Sequence, residues 1–338
     1  MRKKLAVTVM ADILCIPQDD PEFRKRGPTD DAEYNVIRAL RWLGHTVNII
    51  SVGNDVSTIV AALTEKRPDV VFNLTEQFDD DRQKDSNIAA LLEMMGVPFT
   101  GSGALGLALC RNKALCKQLL AAHRLNVPGH AVLPPGAPTL VPRTLKYPLV
   151  VKPVYEDGSD GISNASLVRN EEELRERAAM VHERFRQPAI AEEYIEGREL
   201  YVSVVGNGRL TVLPPRELTF GNSENGGPVM ATYRLKWNKA YQDKWKIKFG
   251  FGEFDPSQGL QIARVCRKAY NLLEICDYGR LDLRLTHDNT LYILEVNPNP
   301  NIGRDDELAL SAAKAGIGYA ALISRILRLA LRRNGAAM

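Results

Sequence analysis

The chain of 338 residues is 45% hydrophobic and 25% charged, with a formal net charge of +3. This is the composition of an ordinary globular protein long enough for two or three packed units, and the small net charge argues against a dedicated nucleic-acid binder. No segment reaches the length of a membrane span, and five cysteines without a C-x-x-C (Cys15, Cys110, Cys116, Cys266 and Cys276) predict reduced thiols in a cytoplasmic protein rather than a disulfide frame or a zinc site.

The opening "MRKKLAVTVMADILC" predicts a first strand and not a signal peptide, because Asp12 interrupts the apolar run and no A-x-A follows. "TDDAEYNVIRALRWLG" predicts a helix with Thr29 or Asp30 as cap, Val36, Leu40 and Leu43 as the apolar stripe and Gly44 as the stop. Strand "HTVNIISV", helix "STIVAALTEKR", strand "PDVVFNL", helix "NIAALLEMMG" and strand "VPFTGSG" continue a βαβ pattern, which predicts a parallel sheet with helices on its faces. From about Gly103 the pattern changes. "RNKALCKQLLAAHRLNVPG" predicts a helix, "HAVLPPGAPTLVP" a Pro-rich connection, "YPLVVKP" a short strand ending at Lys152, and "EEELRERAAMVHERF" a surface helix. "AIAEEYIEGRELYVSVVGNGRLTVLP" predicts antiparallel strands around Gly-Asn-Gly. "LQIARVCRKAYNLLEIC" carries Ile262, Cys266, Ala269, Leu273 and Cys276 on one stripe, and "YAALISRILRLALRRNG" closes the chain as an amphipathic helix with a basic, solvated face.

Between these two helices lies "LDLRLTHDNTLYILEVNPNP", residues 281–300. With "HDNT" as the turn of a hairpin, Asp282 faces Glu295 and Arg280 faces Asn297. Alternation along each strand then puts these four side chains on one face and Leu281, Leu283, Leu294 and Val296 on the other. Two carboxylates directly opposite repel each other, so a positive charge is expected between them. Asp, Glu and Asn supply only hard oxygen ligands, which suits Mg²⁺, an ion that takes its remaining positions from substrate phosphates.

No G-x-x-x-x-G-K-[ST] occurs, so the phosphate grip is not a P-loop. Instead Lys152 ends a strand and "EDGSDGIS" follows, with Gly158 and Gly161 giving a flexible loop rich in backbone N–H groups that can fold over phosphates. Lys113 and Lys236 are two further isolated lysines, and the strand running into "AEEYIEGRE" offers backbone groups to an adenine edge and Glu199 to ribose hydroxyls.

These pieces, in this order, resemble the ATP-grasp superfamily and its D-alanine–D-alanine ligase branch. The matching text is "TGSG" (100–103), "NKALCK" (112–117), "VVKPVYEDGSDGIS" (150–163), "EEYIEGRE" (192–199), "LKW" (235–237), "GRLDLRL" (279–285), "EVNPNP" (295–300) and "AAKAGIGYAALISRIL" (312–327). The resemblance implies a three-domain architecture of α/β plus α+β class: an N-terminal parallel α/β substrate domain (1–104), a central lid domain (105–191) and a C-terminal catalytic domain (192–338), with ATP between the last two. It implies that Lys113 and Lys152 bind ATP, that the loop with Gly158, Ser159 and Gly161 covers the phosphates, and that Glu192 and the backbone of Glu193 and Ile195 meet adenine. Glu199 would take the ribose, Lys236 the γ-phosphate, and Asp282, Glu295 and Asn297 a Mg²⁺ (or Mn²⁺) ion, while Arg280 would stabilise the transferring charge. The reaction implied is ATP-dependent joining of a carboxylate to an amine through an acyl phosphate, by an enzyme with small-molecule substrates and a homodimeric assembly.

The amino-acid half departs from the branch. Its H-G-x-x-G-E-D-G segment is replaced by "FNLTEQFDDDRQKDSN", the loop serine by Gly158, the tyrosine after the phosphate lysine by Trp237, and the glycine and serine that grip a substrate carboxylate by Asn301 and Asp306. Asp306 would repel a carboxylate, which argues against D-alanyl-D-alanine as product. Arg304 is the candidate for a substrate carboxylate and Glu76 for an ammonium group, and Asp79, Asp80 and Asp81 are expected in a solvated loop. The rival readings are a D-alanine–D-alanine ligase proper with altered contacts, and a nucleotide-binding regulator without ligase activity.

Overall fold

Alternating apolar strands and helices at the start of the chain build a parallel sheet, as the βαβ pattern requires. In the computed structural model, which describes residues 4–12, 32–220 and 238–335, strands β1 (Ala6–Asp12), β2 (Thr46–Val52) and β3 (Val70–Asn73) pair in the order β2-β1-β3. The expected cap residues Thr29 and Asp30 and the thiol of Cys15 lie outside the described residues. Helices α1 (Ala32–Trp42), α2 (Val56–Glu65) and α3 (Asp85–Met94) flank the sheet. Both faces are buried, which is why the strands are apolar throughout. Val7 and Val9 pack with Ile37, Leu40 and, from the far end of the chain, Ile323, Ile326 and Leu327. Met10 packs oppositely, with Ile50, Ile59, Leu63 and Leu92. The expected strand at "VPFTGSG" contributes only a single parallel bridge, Val71 to Phe99. Its extension stops because Gly101 turns at φ +90°, a conformation open to glycine.

Helices α4 (Ala104–Arg111) and α5 (Lys113–Ala122) break at Asn112, whose side chain caps α5 by accepting from the Leu115 N–H. A second sheet, antiparallel and ordered β4-β7-β5-β6, comprises β4 (His130–Leu133), β5 (Leu149–Pro153), β6 (Leu167–Val168) and β7 (Ala189–Glu193). Helix α6 (Glu171–Phe185) covers it through Leu174, Ala178 and Val181.

The third sheet runs β11-β10-β8-β12-β13, with β9 paired to β8. Its strands are β8 (Arg198–Val205), β9 (Thr211–Val212), β10 (Arg216–Phe220), β11 (Ile247–Phe251), β12 (Tyr278–Leu285) and β13 (Leu291–Asn297). Leu200, Val202, Val204, Leu281, Leu283, Ile293 and Val296 form its core face. Helix α7 (Lys239–Trp245) precedes β11, and α8 (Pro256–Leu272) packs Ile262, Cys266, Ala269 and Tyr270 against that face, together with Cys116 and Leu120 of α5. A capping box between Asp255 and Gln258, with Pro256 at the first turn, starts α8. Cys276, expected on its stripe, falls beyond the helix end at Leu272. Helices α9 (Glu307–Lys314) and α10 (Tyr319–Arg333) return the chain to the first sheet. No single described helix is long and apolar enough to cross a membrane.

Leu281 is fully buried beneath the hairpin. Leu281→Ala is expected to cost about 2–5 kcal/mol through lost burial and the cavity left behind, read as a lowered denaturant midpoint, whereas a change below about 0.5 kcal/mol would contradict this packing.

Candidate functional site

The hairpin delivers the expected face. Arg280 pairs with Asn297, Leu281 with Val296 and Asp282 with Glu295. Beyond Asp282 the register shifts and Leu283 pairs with Ile293, so Leu294 is a bulge residue rather than the core residue expected opposite Leu283. The turn spans residues 286–290, one more than "HDNT", because Thr286 joins it: the Thr286 N–H donates to the Thr290 carbonyl at 3.0 Å and its hydroxyl oxygen accepts from the Thr290 N–H at 3.0 Å.

The charge expected between the carboxylates comes from the protein itself. Arg280 donates from Nε to Asp282 Oδ1 at 2.7 Å and from Nη2 to Oδ2 at 3.1 Å. Lys113 Nζ lies 2.9 Å from Glu295 Oε1 and also donates to the Glu156 carbonyl. A third lysine, unforeseen as a site residue, stands one helical turn on: Lys117 Nζ donates to the bulged Leu294 carbonyl at 2.5 Å and lies 3.4 Å from Glu192 Oε1. Lys152 Nζ lies 3.1 Å from Glu192 Oε2. The i, i+4 spacing of Lys113 and Lys117 puts both on one face of α5, and this was the available signal. All three residues of the Lys117–Lys152–Glu192 cluster are buried. Burial lowers the Lys117 pKa, with Glu192 opposing; for Lys152 and Glu192 burial is the largest single influence, but their opposite charges outweigh it, so Lys152 is raised and Glu192 lowered.

Beside this cluster opens a cleft of about 550 Å³ bordered by Thr75 and Glu76 just past β3, Gly158 of the glycine loop, and Arg280, Glu295, Asn297 and Asn301 of the hairpin and its exit. Gly158, Ser159 and Gly161 all have positive φ, between 60° and 72°, and turn hydrogen bonds from Asp160 N to Asp157 O and Ile162 N to Ser159 O shape the loop. The exit segment "NPNP" is tied to "TGSG": the Ser102 N–H donates to Asn299 Oδ1 at 2.8 Å, and a Cβ on Gly101 would lie 2.6 Å from that oxygen. Glycine is required there by close approach as well as by φ.

Other expected residues are disposed differently. Glu199 is buried and accepts from Tyr201 Oη at 2.8 Å and Arg284 Nη2 at 2.9 Å. Glu193 uses its N–H on the Gly129 carbonyl and its carboxylate on the Lys146 N–H, and Ile195 is half-buried just past β7. Arg304, the expected carboxylate grip, has its guanidinium over the Tyr319 ring, 5.1 Å from the centroid, and is not among the residues that border the cleft. Arg216, which the sequence did not single out, neutralises Glu307 with Nε 2.5 Å from Oε2. Glu76 keeps solvent access but is walled in by protein. That desolvation, then the charges of Asp157 and Asp12, raise its pKa to about 7, and burial raises Asp12 to about 6. Lys236 and Trp237 lie outside the described residues. Asp81 caps a short turn by accepting from the Gln83 N–H, and Asp79 pairs with Lys84.

The donor set suits a magnesium ion. Asp282, Glu295 and Asn297 sit at paired positions on one face, and among the described residues no group of three His, Cys, Asp or Glu gathers as a self-sufficient metal site. Two carboxylates and an amide leave most of an octahedral shell to be filled from elsewhere, as phosphate oxygens and water do.

The family profile described as D-ala D-ala ligase C-terminus matches residues 136–328. A D-alanine–D-alanine ligase of Gluconobacter oxydans is 33% identical over 302 residues, covering 88% of this chain and 92% of its own length. An uncharacterised protein of Sinorhizobium fredii is 30% identical over 304 residues, covering 88% and 87%. Among solved structures, the D-alanine–D-alanine ligase of Bacillus anthracis complexed with ATP superposes with a TM-score of 0.74 over 98% of this chain and 99% of that one; at 19% identity this likeness speaks to the fold. Sequence, architecture and the paired-carboxylate hairpin agree, and the chain belongs to the D-alanine–D-alanine ligase family, ATP-dependent enzymes of the ATP-grasp fold that form C–N bonds.

Proposed function

We propose that this protein joins the carboxylate of an amino acid or small peptide to an amine at the expense of ATP, by way of an acyl phosphate. The observation that carries the reading is Asp282 opposite Glu295 on the same face as Arg280 and Asn297, with Lys113 against it and the glycine loop across the cleft. In this assignment Asp282, Glu295 and Asn297 hold Mg²⁺ or Mn²⁺, which when bound neutralises triphosphate charge and orients the γ-phosphate. Lys113, Lys152 and Lys236 bind phosphates under Gly158, Ser159 and Gly161. Glu192, Glu193, Ile195 and Glu199 receive the nucleoside.

Phosphoryl transfer needs positioning and charge neutralisation and no covalent enzyme nucleophile. A substrate carboxylate oxygen bonds to the γ-phosphorus and the bond to ADP breaks. Arg280, half-buried and kept cationic by Asp282 against the desolvation that opposes it, faces the charge that develops. The neutral amine attacks the acyl carbon, the C–O bond to phosphate breaks as the amide forms, and the surplus proton on nitrogen leaves with the departing phosphate. Glu76 is the group in the cleft suited to an ammonium, and Asn301 borders the same end. The names of the relatives favour D-alanine for both substrates. The carboxylates of Asp306 and Glu307 at the substrate end favour an acceptor without a free carboxylate. A cytoplasmic setting belongs to the same proposal.

ADP release measured against panels of amino acids and amines, D-alanine included, tests the reading: turnover that requires one defined pair is expected, and tight ATP binding without turnover on any panel favours the regulator. Asp282→Asn or Glu295→Gln is expected to abolish metal-dependent turnover while the circular dichroism spectrum stays unchanged; retained turnover rejects the metal assignment. A carboxyl at about 7 in the folded chain against 4.5 in the unfolded one binds its proton more tightly when folded. Glu76 therefore contributes stability that is present below about pH 4.5 and lost as pH rises through about 7. Glu76→Gln should gain in Tm relative to the parent protein between about pH 5 and pH 8, followed by calorimetry, and an unchanged difference would place the carboxyl in ordinary solvent.

A further inference from the structure

The glycine loop poses an electrostatic problem. A cover for a polyanion is expected to be neutral or basic, yet this one carries Glu156, Asp157 and Asp160. Like charges brought together in a partly buried site repel each other strongly. The structure answers with two arginines from outside the loop. Arg82, on the turn before α3, has Nη1 3.0 Å from Asp157 Oδ1, 2.8 Å from Asp160 Oδ2 and 3.7 Å from Glu156 Oε2. Arg111, the last residue of α4, has Nη1 2.5 Å from Asp157 Oδ2 and pairs through Nη2 with Asp85, the first residue of α3. Each oxygen of Asp157 therefore meets a different arginine. Burial alone would raise the Asp157 carboxyl, but Arg111, Lys113 and Arg82 hold it below the usual range. At its far end the loop is tied within its own layer, where Arg177 of α6 donates to the Gly161 carbonyl.

We propose that Arg82 and Arg111 are positioning residues that latch the acidic glycine loop to the first-sheet layer and cancel its charge, so that it closes over the nucleotide phosphates. The proposal rests on the ATP-dependent reading above. It assigns the first layer a part in nucleotide binding without contact to the nucleotide.

The test uses the full-length protein and MgADP and MgATP as probes. Arg82→Ala should weaken binding of both about tenfold, the scale of one partly buried charge pair, raise KM for ATP more than it lowers kcat, and speed proteolytic cleavage between residues 156 and 162. Arg82→Lys should restore part of each effect. If Arg82→Ala misfolds, Asp160→Asn should still speed cleavage of the loop. Affinity within about twofold of the parent together with unchanged cleavage in a folded variant overturns the latch. Parent protein that binds nucleotide without turnover leaves the latch readable from affinity and cleavage while rejecting the ligase; parent protein that binds neither nucleotide overturns both.

Discussion

Two carboxylates held opposite each other across one β-ribbon set the terms for everything around them. Asp282 and Glu295 face each other at neighbouring-strand distance, where like charges destabilise a sheet. The protein compensates from two directions. Arg280, on the same strand as Asp282, forms a two-point ion pair with it. Lys113 comes from outside the sheet and reaches Glu295 only if α5 lies along the ribbon. Cys116 and Leu120, on the same helix face as Lys113, pack into the sheet core, and Lys117 fastens the helix to the ribbon backbone. Glu192 of the second sheet, buried between Lys117 and Lys152, then brings a second layer against the same helix. Removing both lysines would strand the buried Glu192 carboxylate, which is costlier than never having buried it.

The first layer shares an apolar core with the C-terminal helices, and beside the cleft it is joined to this centre by polar contacts. Asn299 receives the Ser102 N–H, and Asp277 accepts from the Gly101 N–H at 2.9 Å while lying 3.5 Å from Arg333. Arg82 and Arg111 add the loop. Where the layers meet around the cleft, much of the binding between them is charge-assisted, and such contacts form and break with less penalty than a packed core. A cleft that admits substrates and excludes water during transfer needs surfaces of that kind.

Much of this was readable in the residues. The βαβ alternation marked the parallel sheet, because period and caps act locally, and the acidic face followed from alternation once a turn was assumed. What escaped depends on tertiary proximity. Arg82 sits in "DDDRQKD", where its sequence neighbours suggest a solvated charge run, and only the fold brings Asp157 and Asp160 to it. Arg216 and Glu307 are 91 residues apart by their numbering and pair through sheet geometry. Nothing in the neighbours of Arg304 announces the Tyr319 ring under its guanidinium. Lys117 was within reach, since helical spacing from Lys113 is a local rule.

The bulge at Leu294 acts as a parity correction. Ile293 and Glu295 are two apart, so an unbroken strand would point both the same way. The five-residue turn sets an odd count between the arms, and uncorrected it would align Asp282 with Leu294 and drive the Glu295 carboxylate among the leucines, at several kcal/mol. One surplus residue flips the phase, keeping Ile293 in the core and turning Glu295 outward. The turn is thereby uncoupled from the chemistry: its length answers to its own hydrogen bonds, and the acidic pair answers to the bulge.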